Sequence, residues 1–480
     1  MIVVNNKSGA AILLSVLHFL VIINCDDEHK NVRSLLKSCQ EDWCEECKKS
    51  AKYSGKDTRL PSNGNSASNE VKRVCYYTPF HHMEPDYLAL NLTLCTHVIY
   101  GFAQVTDMND IAPKRRDKDL ERYKHFNGYV ACRHPTVKTL LCLSEGHFST
   151  MVGEECTREK FISSMMKKLK KWGFDGLDVD WEFPGFKDRN HFATFLQEAH
   201  IMLKKENKLL SVALPGYWRY INMSYNDTAL VANMSEAIDF ANIMAYDYNV
   251  YSWKWRRFTG PNSPLYSWTN RSTDDSQRYL AVKIYLSHKG RERKKDPSCS
   301  QWSVRCWTQV LKLPKKKIVV GIPFFGRAYN LTDPATNHSM LAGARNTTFG
   351  WGDKVTFPWV CRFLKTSATR SVYHRKSRTP YAYNVHQSTW VSYDDERSVC
   401  EKVRWIIAGH YGGVMSYAFD YDDVYGGNCT NAGTRPFPLQ TRIYELTAGV
   451  QICDERHTCV TDRQPNACKT FSHYNSTDES

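Results

Sequence analysis

Four acidic side chains lie within eight residues in the run Asp175-Gly-Leu-Asp178-Val-Asp180-Trp-Glu182. Asp178, Asp180 and Glu182 stand two residues apart, and side chains at alternate positions of a β-strand point to the same face. If the run is a strand, these carboxyl groups share one surface. Like charges and poor solvation then make at least one of them hold its proton near neutral pH. A carboxyl group that keeps its proton can protonate the leaving oxygen of a glycosidic bond.

The same acids could instead form a calcium site or an exposed acidic loop. Calcium loops rarely alternate acids with Val and Trp, as residues 178–182 do. An exposed loop would not place apolar residues between the acids. The alternation therefore favours a strand whose acids point inward, with Glu182 at its C-terminal end.

The flanking sequence predicts the elements that position this run. From residue 73 onward, short runs rich in β-branched and aromatic residues alternate with amphipathic segments such as Arg158–Trp172 and Phe186–Lys205. The predicted strands are Arg73–Tyr77, His97–Ala103, Lys138–Leu143, Gly176–Glu182, Leu210–Leu214, Ile238–Tyr246, Ile318–Ile322 and Gly413–Phe419. Eight strands that alternate with helices predict an α/β protein with a closed (β/α)8 TIM barrel. Active sites of such barrels lie at the C-terminal ends of the strands, where Glu182 is expected.

The segment between the seventh and eighth strands is too long for one helix. Residues 330–390 contain strand-like runs at Lys354–Phe357, Tyr381–Tyr383 and Thr389–Tyr393. They predict a small α+β subdomain inserted at the mouth of a barrel domain that spans residues 71–430. A basic stretch, Ser287–Ser300, is expected to be an exposed loop.

The start of the chain has the features of a signal peptide. Lys7 precedes an apolar run from Ala10 to Ile23 that is too short for a full membrane span. We assign residues 1–25 to this signal; an uncleaved anchor is the alternative, because no clean small-x-small pattern follows Ile23. Ten Asn-x-Ser/Thr acceptors also favour the secretory route: Asn91, Asn222, Asn226, Asn233, Asn270, Asn330, Asn337, Asn346, Asn428 and Asn475. We predict a secreted protein, or a signal-anchored one with its barrel outside the cytosol.

Cysteine-containing segments flank the predicted barrel. Seventeen cysteines fit an oxidising compartment. Residues 26–70 are polar and carry Cys39, Cys44 and Cys47, for which a disulfide knot is favoured over a zinc site that would need a fourth ligand. Residues 431–480 form a tail, and the pairing of its cysteines stays open.

The net charge of +14 is spread over short runs such as Lys167–Lys171 and Lys315–Lys317. A nucleic-acid-binding protein concentrates such charge on one module, so we expect no nucleic-acid partner. Attraction to acidic surfaces is the interpretation that the charge favours. Aromatic residues make up 13% of the chain, which suits a sugar-binding cleft, although a large core also uses them.

The acidic run resembles the signature of the family-18 glycoside hydrolases, the chitinase family. Its Asp-x-x-Asp-x-Asp-x-Glu pattern is complete at residues 175–182, and further matches follow in order along residues 73–430. The matching runs are Val74–Tyr77, Leu94–Ala103, Met244–Asn249, Gly260–Tyr266, Gly321–Arg327, Trp390–Asp395 and Gly412–Asp423.

This resemblance implies retaining hydrolysis of β-1,4-linked N-acetylglucosamine polymers such as chitin, in which the substrate's N-acetyl oxygen attacks the anomeric carbon. Glu182 would be the general acid and then the base. Asp180 would orient the acetamide, Asp178 would share a proton with Asp180, and Tyr246 would donate a hydrogen bond to the acetamide oxygen. The ligands would be chitin or N-acetylglucosamine oligosaccharides. We expect a monomer that uses no cofactor and no metal.

The resemblance also implies a set of cleft residues: Asp175, Tyr77, Phe102, Trp181, Met244, Asp247, Tyr248, Arg327, Met415 and Tyr417. The alternation along the acidic run points Trp181 toward the helices instead. Each polar member of this set could also be a hydrogen-bonding residue of the barrel interior. Two disulfides are implied, Cys75–Cys95 and Cys361–Cys429, and a local bond between Cys299 and Cys306 is plausible.

Three positions depart from the family pattern. Residues Leu143–His147 replace a Gly-Gly-Trp sequence and add Glu145, Tyr417 replaces a Trp, and Phe325 stands where Tyr is common. These changes favour a cleft for shorter or differently decorated chains, or slow turnover. We predict a chitinase; the alternatives are a chitinase-like lectin that binds without cutting, and an enzyme that acts on the chitobiose core of N-glycans.

Overall fold

The computed structural model describes residues 71–79, 87–251, 257–268, 299–345, 353–429, 435–449, 452–453, 459–460 and 477–479. The predicted signal at residues 1–25 and the polar segment at 26–70 lie outside them. So do most of the predicted basic loop at residues 287–300 and part of the tail at 431–480. No helix in the described ranges is long and apolar enough to cross a membrane.

Eight parallel strands close into a barrel around the acidic run. The strands of this sheet are β1 (Lys72–Tyr77), β2 (His97–Val105), β3 (Ile111–Pro113), β4 (Lys138–Gly146), β5 (Gly176–Val179), β6 (Leu209–Pro215), β7 (Phe240–Met244), β8 (Ile318–Pro323) and β15 (Gly413–Tyr417). The barrel order is β1-β2-β4-β5-β6-β7-β8-β15, and β15 pairs with β1 to close the ring. The short β3 adds to β2 in the antiparallel direction. Each predicted strand overlaps one barrel strand, and the (β/α)8 prediction is confirmed.

Helices follow most of the barrel strands. They are α1 (Arg116–Arg133), α2 (Phe148–Gly153), α3 (Glu155–Trp172), α4 (Arg189–Lys205), α5 (Trp218–Tyr225), α6 (Thr228–Ala237), α7 (Ser300–Arg305), α8 (Phe357–Leu364), α9 (Glu396–Ala408) and α10 (Pro438–Thr447). A π-helical turn continues α7 over Cys306–Val310. Short 3-10 helices span Tyr87–Ala89, Leu92–Leu94, Lys315–Lys317 and Phe419–Tyr421.

Helix α3 illustrates why these segments fold as predicted. Its apolar residues Phe161, Met165, Leu169 and Trp172 recur at helical spacing, and all are buried. Each such side chain contributes about 1.5–3 kcal/mol when it leaves water. The helix ends at Gly173, whose φ of +83° favours glycine.

The predicted α+β insertion between β8 and β15 is confirmed. Its strands are β9 (Phe325–Leu331), β10 (Ala344–Arg345), β11 (Lys354–Thr356), β12 (Thr369–His374), β13 (Thr379–Asn384) and β14 (Thr389–Ser392). They form one sheet in the order β10-β9-β14-β13-β12, and β11 pairs with β9. A core around Tyr329, Tyr381 and Trp390 fills this sheet. From the tail, β16 (Ile452–Cys453) pairs with β17 (Cys459–Val460), and β18 (Thr477–Glu479) joins β12.

Two disulfides that the resemblance implied are present, and a third bond that we considered plausible is not. Cys75 is bonded to Cys95, and Cys361 is bonded to Cys429. Cys306 carries a free, buried thiol, so the bond that we considered plausible between Cys299 and Cys306 is absent. Burial raises the pKa of the Cys306 thiol to about 12, which keeps it protonated and unreactive.

A buried ion pair fixes the insertion-to-barrel connection. The Lys402 ammonium on α9 lies 2.7 Å from an Asp394 carboxylate oxygen, and both side chains are almost fully buried. The same ammonium donates to Ser263 Oγ at 2.8 Å, in the loop that follows β7. One lysine therefore joins three segments around the C-terminal end of the barrel.

We expect Lys402→Met to lower the free energy of unfolding by about 3–5 kcal/mol, because Asp394 would remain buried without its cation. Chemical denaturation of the purified chain measures this loss. Lys316→Met is the matched control, since Lys316 is exposed and should shift stability by less than about 0.5 kcal/mol. Similar values for the two variants would contradict the proposed importance of the pair.

Candidate active site

The acidic run is split between a strand and the loop that follows it. We predicted a strand to Glu182, but β5 ends at Val179, because its ladders with β4 and β6 stop there. The Asp180 backbone N–H still donates to the carbonyl oxygen of Leu143 at 2.8 Å. Asp178 and Asp180 are therefore held by the barrel, and Glu182 stands just beyond it.

Asp178 lies at the centre of a buried hydrogen-bond network inside the barrel. Its Oδ2 accepts from the Tyr76 hydroxyl at 2.7 Å, and its Oδ1 accepts from Ser211 Oγ at 2.6 Å and from Asn242 Nδ2 at 3.2 Å. The buried Cys142 thiol is a further partner. Burial raises the Asp178 pKa, although these hydrogen bonds act in the opposite direction.

Asp180 is buried with one carboxyl oxygen unsatisfied. Its Oδ1 has no hydrogen-bond partner in the described residues, although buried polar atoms nearly always have one. Burial raises the Asp180 pKa well above its usual range, and the charges of Glu182 and Asp178 raise it further. Asp180 therefore retains a proton readily. Its Oδ1 is shielded from solvent, whereas its Oδ2 is accessible and makes no hydrogen bond to a described residue.

Glu182 stands at the opening of the site, with part of its surface in contact with solvent. Its pKa is raised, first by surrounding protein that displaces water and then by the charge of Asp247. The ammonium of Lys354 acts in the opposite direction. Glu182 thus has the environment of a carboxyl group that can donate a proton and later recover one.

Aromatic rings and a methionine form the floor beside these acids. The Tyr417 ring centroid lies 5.5 Å from that of Tyr76 and 5.8 Å from that of Tyr246. Gly321 leaves room for this packing, since a Cβ there would be 2.8 Å from Met415 Cε and 2.9 Å from Tyr246 Cε1. The Tyr246 hydroxyl makes no hydrogen bond to a described residue, so its donor is available.

A charged side of the site connects the barrel with the insertion. Arg327 on β9 donates through Nε to Asp247 Oδ1 at 2.8 Å and through Nη1 to Asp353 Oδ1 at 2.5 Å. Asp247 has a φ of +59° just after β7, in the left-handed region. Two carboxylates of the protein therefore hold the Arg327 guanidinium.

Two other predicted cleft residues lie near this end of the barrel. Met244 is the last residue of β7 and is partly buried. Phe102 is partly buried in the C-terminal half of β2. Neither has a polar contact through its side chain, so both are apolar wall residues at most.

Four residues that we expected in the cleft lie elsewhere, beginning with Asp175 and Tyr77. Asp175 precedes β5, at the opposite end of the barrel, and accepts a hydrogen bond from the Thr139 backbone N–H at 2.9 Å. Tyr77 is buried on the outside of the barrel, with its ring 5.2 Å from that of Tyr100 and 6.1 Å from that of Phe126. Asp175 therefore lies at the wrong end of the barrel and Tyr77 on its outer face, which corrects both expectations.

Trp181 and Tyr248 also face away from the acids. Trp181 stacks on Phe148 of α2 at 5.0 Å and meets Phe192 of α4 edge-on at 5.4 Å, as the alternation indicated. Tyr248 is buried, and its hydroxyl lies 2.6 Å from Ser303 Oγ on α7. Both side chains hold helices against the barrel.

The third barrel strand, β4, departs from the family pattern in sequence and ends in a left-handed backbone conformation. Gly146 ends β4 with a φ of +103°, and a Cβ at this position would lie 1.9 Å from the carbonyl oxygen of Val105. The Trp of the family's Gly-Gly-Trp pattern, if placed here, would therefore require the backbone to shift. Glu145 is exposed and forms an ion pair with Lys114 at the rim.

Sequence reasoning missed several residues at this site. Tyr76, rather than Tyr77, faces the acids, and Ser211 and Asn242 complete the network. The predicted disulfide of Cys75 could have revealed the facing of β1, because Cys75 and Tyr77 lie on the same side of the strand. Nothing in the sequence predicted that Lys354 would lie near the acids, because no local pattern encodes the position of β11 relative to β5.

A hydrophobic shelf next to Glu182 was missed as well. The rings of Phe183 and Tyr220 stack at 4.6 Å, and Phe186 and Met223 lie largely exposed beside them. Exposed apolar residues grouped in this way commonly mark a binding surface.

Comparison with known proteins identifies the fold family. The model of the family described as glycosyl hydrolases family 18 matches residues 72–422. The chain belongs to glycosyl hydrolase family 18. The match includes the acidic run and most of the insertion.

Curated relatives include the oviduct-specific glycoproteins of Sus scrofa and Mesocricetus auratus. The first is 29% identical over 407 residues, which are 79% of this chain and 69% of the relative. The second is 30% identical over 401 residues, which are 78% of this chain and 54% of the relative. This family-18 chain thus spans between about half and about two thirds of the length of these relatives.

Similar solved structures include both a chitinase and a pseudo-chitinase. Catalytic domain 2 of the Ostrinia furnacalis Group II chitinase has a TM-score of 0.68 and 25% identity, and covers 82% of this chain and 100% of its own. Human YKL-39, described as a pseudo-chitinase with retained chitooligosaccharide binding properties, has a TM-score of 0.67 and 25% identity, with coverages of 79% and 100%. This family-18 protein is therefore a chitinase or a chitinase-like protein.

The raised pKa of Asp180 predicts a pH-dependent stability. The unfolded carboxyl group ionises near pH 4, whereas the folded one keeps its proton to higher pH, so the free energy of unfolding should fall as pH rises above about 4. Asp180→Asn should flatten this fall and stabilise the protein at pH 7 by about 1 kcal/mol or more. Urea unfolding across pH measures the effect.

The matched control for this prediction is Asp107→Asn, in an exposed turn. It should leave the slope of stability against pH as in the parent. A slope that Asp180→Asn also leaves unchanged would show that Asp180 is ionised in the folded protein.

Proposed function

We propose that this protein is a secreted glycoside hydrolase that cleaves β-1,4-linked N-acetylglucosamine polymers such as chitin, with retention of configuration. One observation carries the proposal: buried Asp180 makes no side-chain hydrogen bond to a described residue and is electrostatically coupled both to Glu182 and to Tyr246, whose hydroxyl is also unengaged. These groups match the needs of a reaction in which the substrate's acetamide is the nucleophile.

The roles follow from the environment of each group. Glu182 has a raised pKa and stands at the opening, so it protonates the leaving oxygen and later activates water. Asp180 accepts a hydrogen bond from the acetamide N–H through Oδ2, the carboxyl oxygen that is not shielded from solvent. Asp178, held by Tyr76 and Ser211, raises the pKa of Asp180 through its charge and so favours the protonated form of Asp180. Tyr246 donates to the acetamide oxygen as that oxygen turns toward the anomeric carbon.

The floor and the hydrophobic shelf suit opposite ends of a bound chain. The Tyr417 ring gives the sugar at the acids an apolar face, on which sugar C–H groups can pack. The shelf of Phe183 and Tyr220 adjoins Glu182, and we assign to it the leaving part of the chain. Residues 71–430 form the catalytic unit in this proposal.

A chitinase-like lectin is the second candidate, and two observations favour it. Gly146 cannot accommodate a stacking Trp without a backbone shift, and the structural relative human YKL-39 is described as a pseudo-chitinase that retains chitooligosaccharide binding. The retained acids favour hydrolysis, since a lectin does not need a carboxyl group poised to donate a proton.

We expect the secreted chain to release the fluorophore from fluorogenic chitobioside and chitotrioside, and Glu182→Gln to reduce kcat/KM by about 10²–10⁴-fold. The amide has nearly the same shape but cannot donate the proton, so oligosaccharide binding should persist. Tight binding without release by the parent would favour the lectin. Release from a glycopeptide, but from neither chitin oligomer, would favour an enzyme of the N-glycan core.

Tyr246→Phe should lower kcat by about 10²-fold, because one donor to the developing charge of the acetamide oxygen is lost. Tyr248→Phe is the matched control, since its hydroxyl bonds Ser303 instead of facing the acids. Steady-state kinetics on the chitotrioside should give a far smaller change for the control. An equal loss in both variants would point to a general structural effect and contradict the assigned role.

A further inference from the structure

Lys354 places an ammonium group among aromatic rings at the proposed active site. Its Nζ lies 4.5 Å from the ring centroid of Phe325, 4.7 Å from that of Tyr417 and 4.9 Å from that of Tyr421. Lys354 begins β11 and pairs with Arg327 in the ladder with β9. The side chain therefore reaches from the insertion to the floor formed by the eighth barrel strand.

This ammonium group has no hydrogen-bond or ion-pair partner among the described residues. The carboxylates around it are engaged elsewhere. Asp247 accepts from Arg327, and Asp420 accepts from the Thr78 backbone N–H at 3.1 Å and from its hydroxyl. Glu182 is also near, but in the acid form that catalysis needs it carries no charge. Aromatic rings stabilise a cation, yet they leave its three N–H donors unused.

Lys354 is partly buried, so its ammonium group loses part of its water without gaining a hydrogen-bond acceptor from the described residues. Loss of water lowers the pKa of Lys354 to about 8, although Asp247, Asp420 and Glu182 act in the opposite direction and Arg327 adds to the decrease. At neutral pH the group is therefore still largely charged. A ligand oxyanion could supply the hydrogen-bond acceptors that the protein does not provide.

We propose that Lys354 selects ligands that carry an anionic substituent on the sugar bound at Tyr417 or on its neighbour. This inference rests on the proposed sugar-binding cleft and names its preferred class: acidic glycans that contain N-acetylglucosamine, in which a sulfate ester or a carboxylate meets the ammonium. Lys354 is a specificity-determining residue in this arrangement and takes no part in proton transfer.

The electrostatics of the cleft are compatible with such a ligand. Arg327 forms ion pairs with both Asp247 and Asp353, which reduces the negative charge beside Lys354. Asp178, Asp180 and Glu182 all have raised pKa values, which reduces their negative charge in the resting site. The net charge of +14 attracts polyanions at long range.

The test is calorimetric binding at low ionic strength to three ligands of equal length. They are chitotriose, its 6-O-sulfated counterpart, and an oligosaccharide in which glucuronate alternates with N-acetylglucosamine. Glu182→Gln serves as the parent, so that turnover does not disturb the measurement. We expect the sulfated ligand, the carboxylated ligand or both to bind about tenfold or more tightly than chitotriose, as a charge-assisted hydrogen bond allows. Which ligand gains affinity identifies the anion.

Variants of Lys354 then test whether this residue causes the preference for acidic ligands. Lys354→Met should bring the affinity ratio of acidic to neutral ligand close to one, and Lys354→Arg should retain most of it. Lys316→Met, at an exposed position, should leave the ratio unchanged. Because the ratio is measured within each variant, a general loss of folding affects both ligands equally. The preference should also fade as the pH rises through about 8, where the ammonium loses its proton.

Each outcome separates this inference from the proposed function. Equal binding of acidic and neutral ligands, or a preference that survives Lys354→Met, would overturn the inference and leave the hydrolase proposal intact. A Lys354-dependent preference in a protein that cleaves nothing would support the inference and refute the hydrolase. Failure to bind any of the three ligands would refute both.

Discussion

Two buried carboxyl groups beside a third at the opening, with little positive charge to neutralise them, are the constraint on which the site depends. Asp178 and Asp180 are enclosed by the barrel, and Glu182 stands where the enclosure opens. Burial in each case opposes ionisation, and the mutual repulsion of Asp180 and Glu182 strengthens the effect. Such an arrangement destabilises the folded protein at neutral pH, which a structural role would not require. It is the environment in which a carboxyl group can act as an acid at the pH of the surroundings.

The barrel supplies what the carboxyl groups need. Strands β1, β6 and β7 each contribute one hydrogen-bonding side chain to Asp178, namely Tyr76, Ser211 and Asn242. A closed ring of parallel strands brings these distant positions to one point, and the ion pair of Lys402 and Asp394 secures the neighbouring loops. The position of Asp178 is therefore fixed by side chains from several strands of the ring, whereas the Asp180 carboxyl group makes no hydrogen bond to a described residue.

The barrel and the acidic residues could be predicted from the sequence because both are encoded locally. Strand runs alternate with helical runs, and acids two residues apart share a face. Which side chains from different strands face one another could not be predicted in the same way. Tyr76 and Tyr77 are identical in type, and only the register of β1 decides that the first reaches Asp178. Asp175 belongs to the signature in sequence, yet it lies at the opposite end of the strand. The position of Lys354 depends on how the insertion folds over the barrel, which no local pattern encodes.

The departures from the family pattern change the kind of recognition that the cleft can offer. At the end of β4, the left-handed backbone of Gly146 excludes a broad stacking surface, and the neighbouring rim carries the ion pair of Glu145 and Lys114. On the floor, the ring of Tyr417 is smaller than the indole that the family pattern has there, and the ammonium of Lys354 lies over it. Stacking on a neutral sugar weakens with the area of the ring, whereas contact with an oxyanion strengthens where water is scarce. We therefore expect a cleft with less aromatic area, and a cation that no described residue pairs, to discriminate more by the charge of its ligand than by the length of the chain.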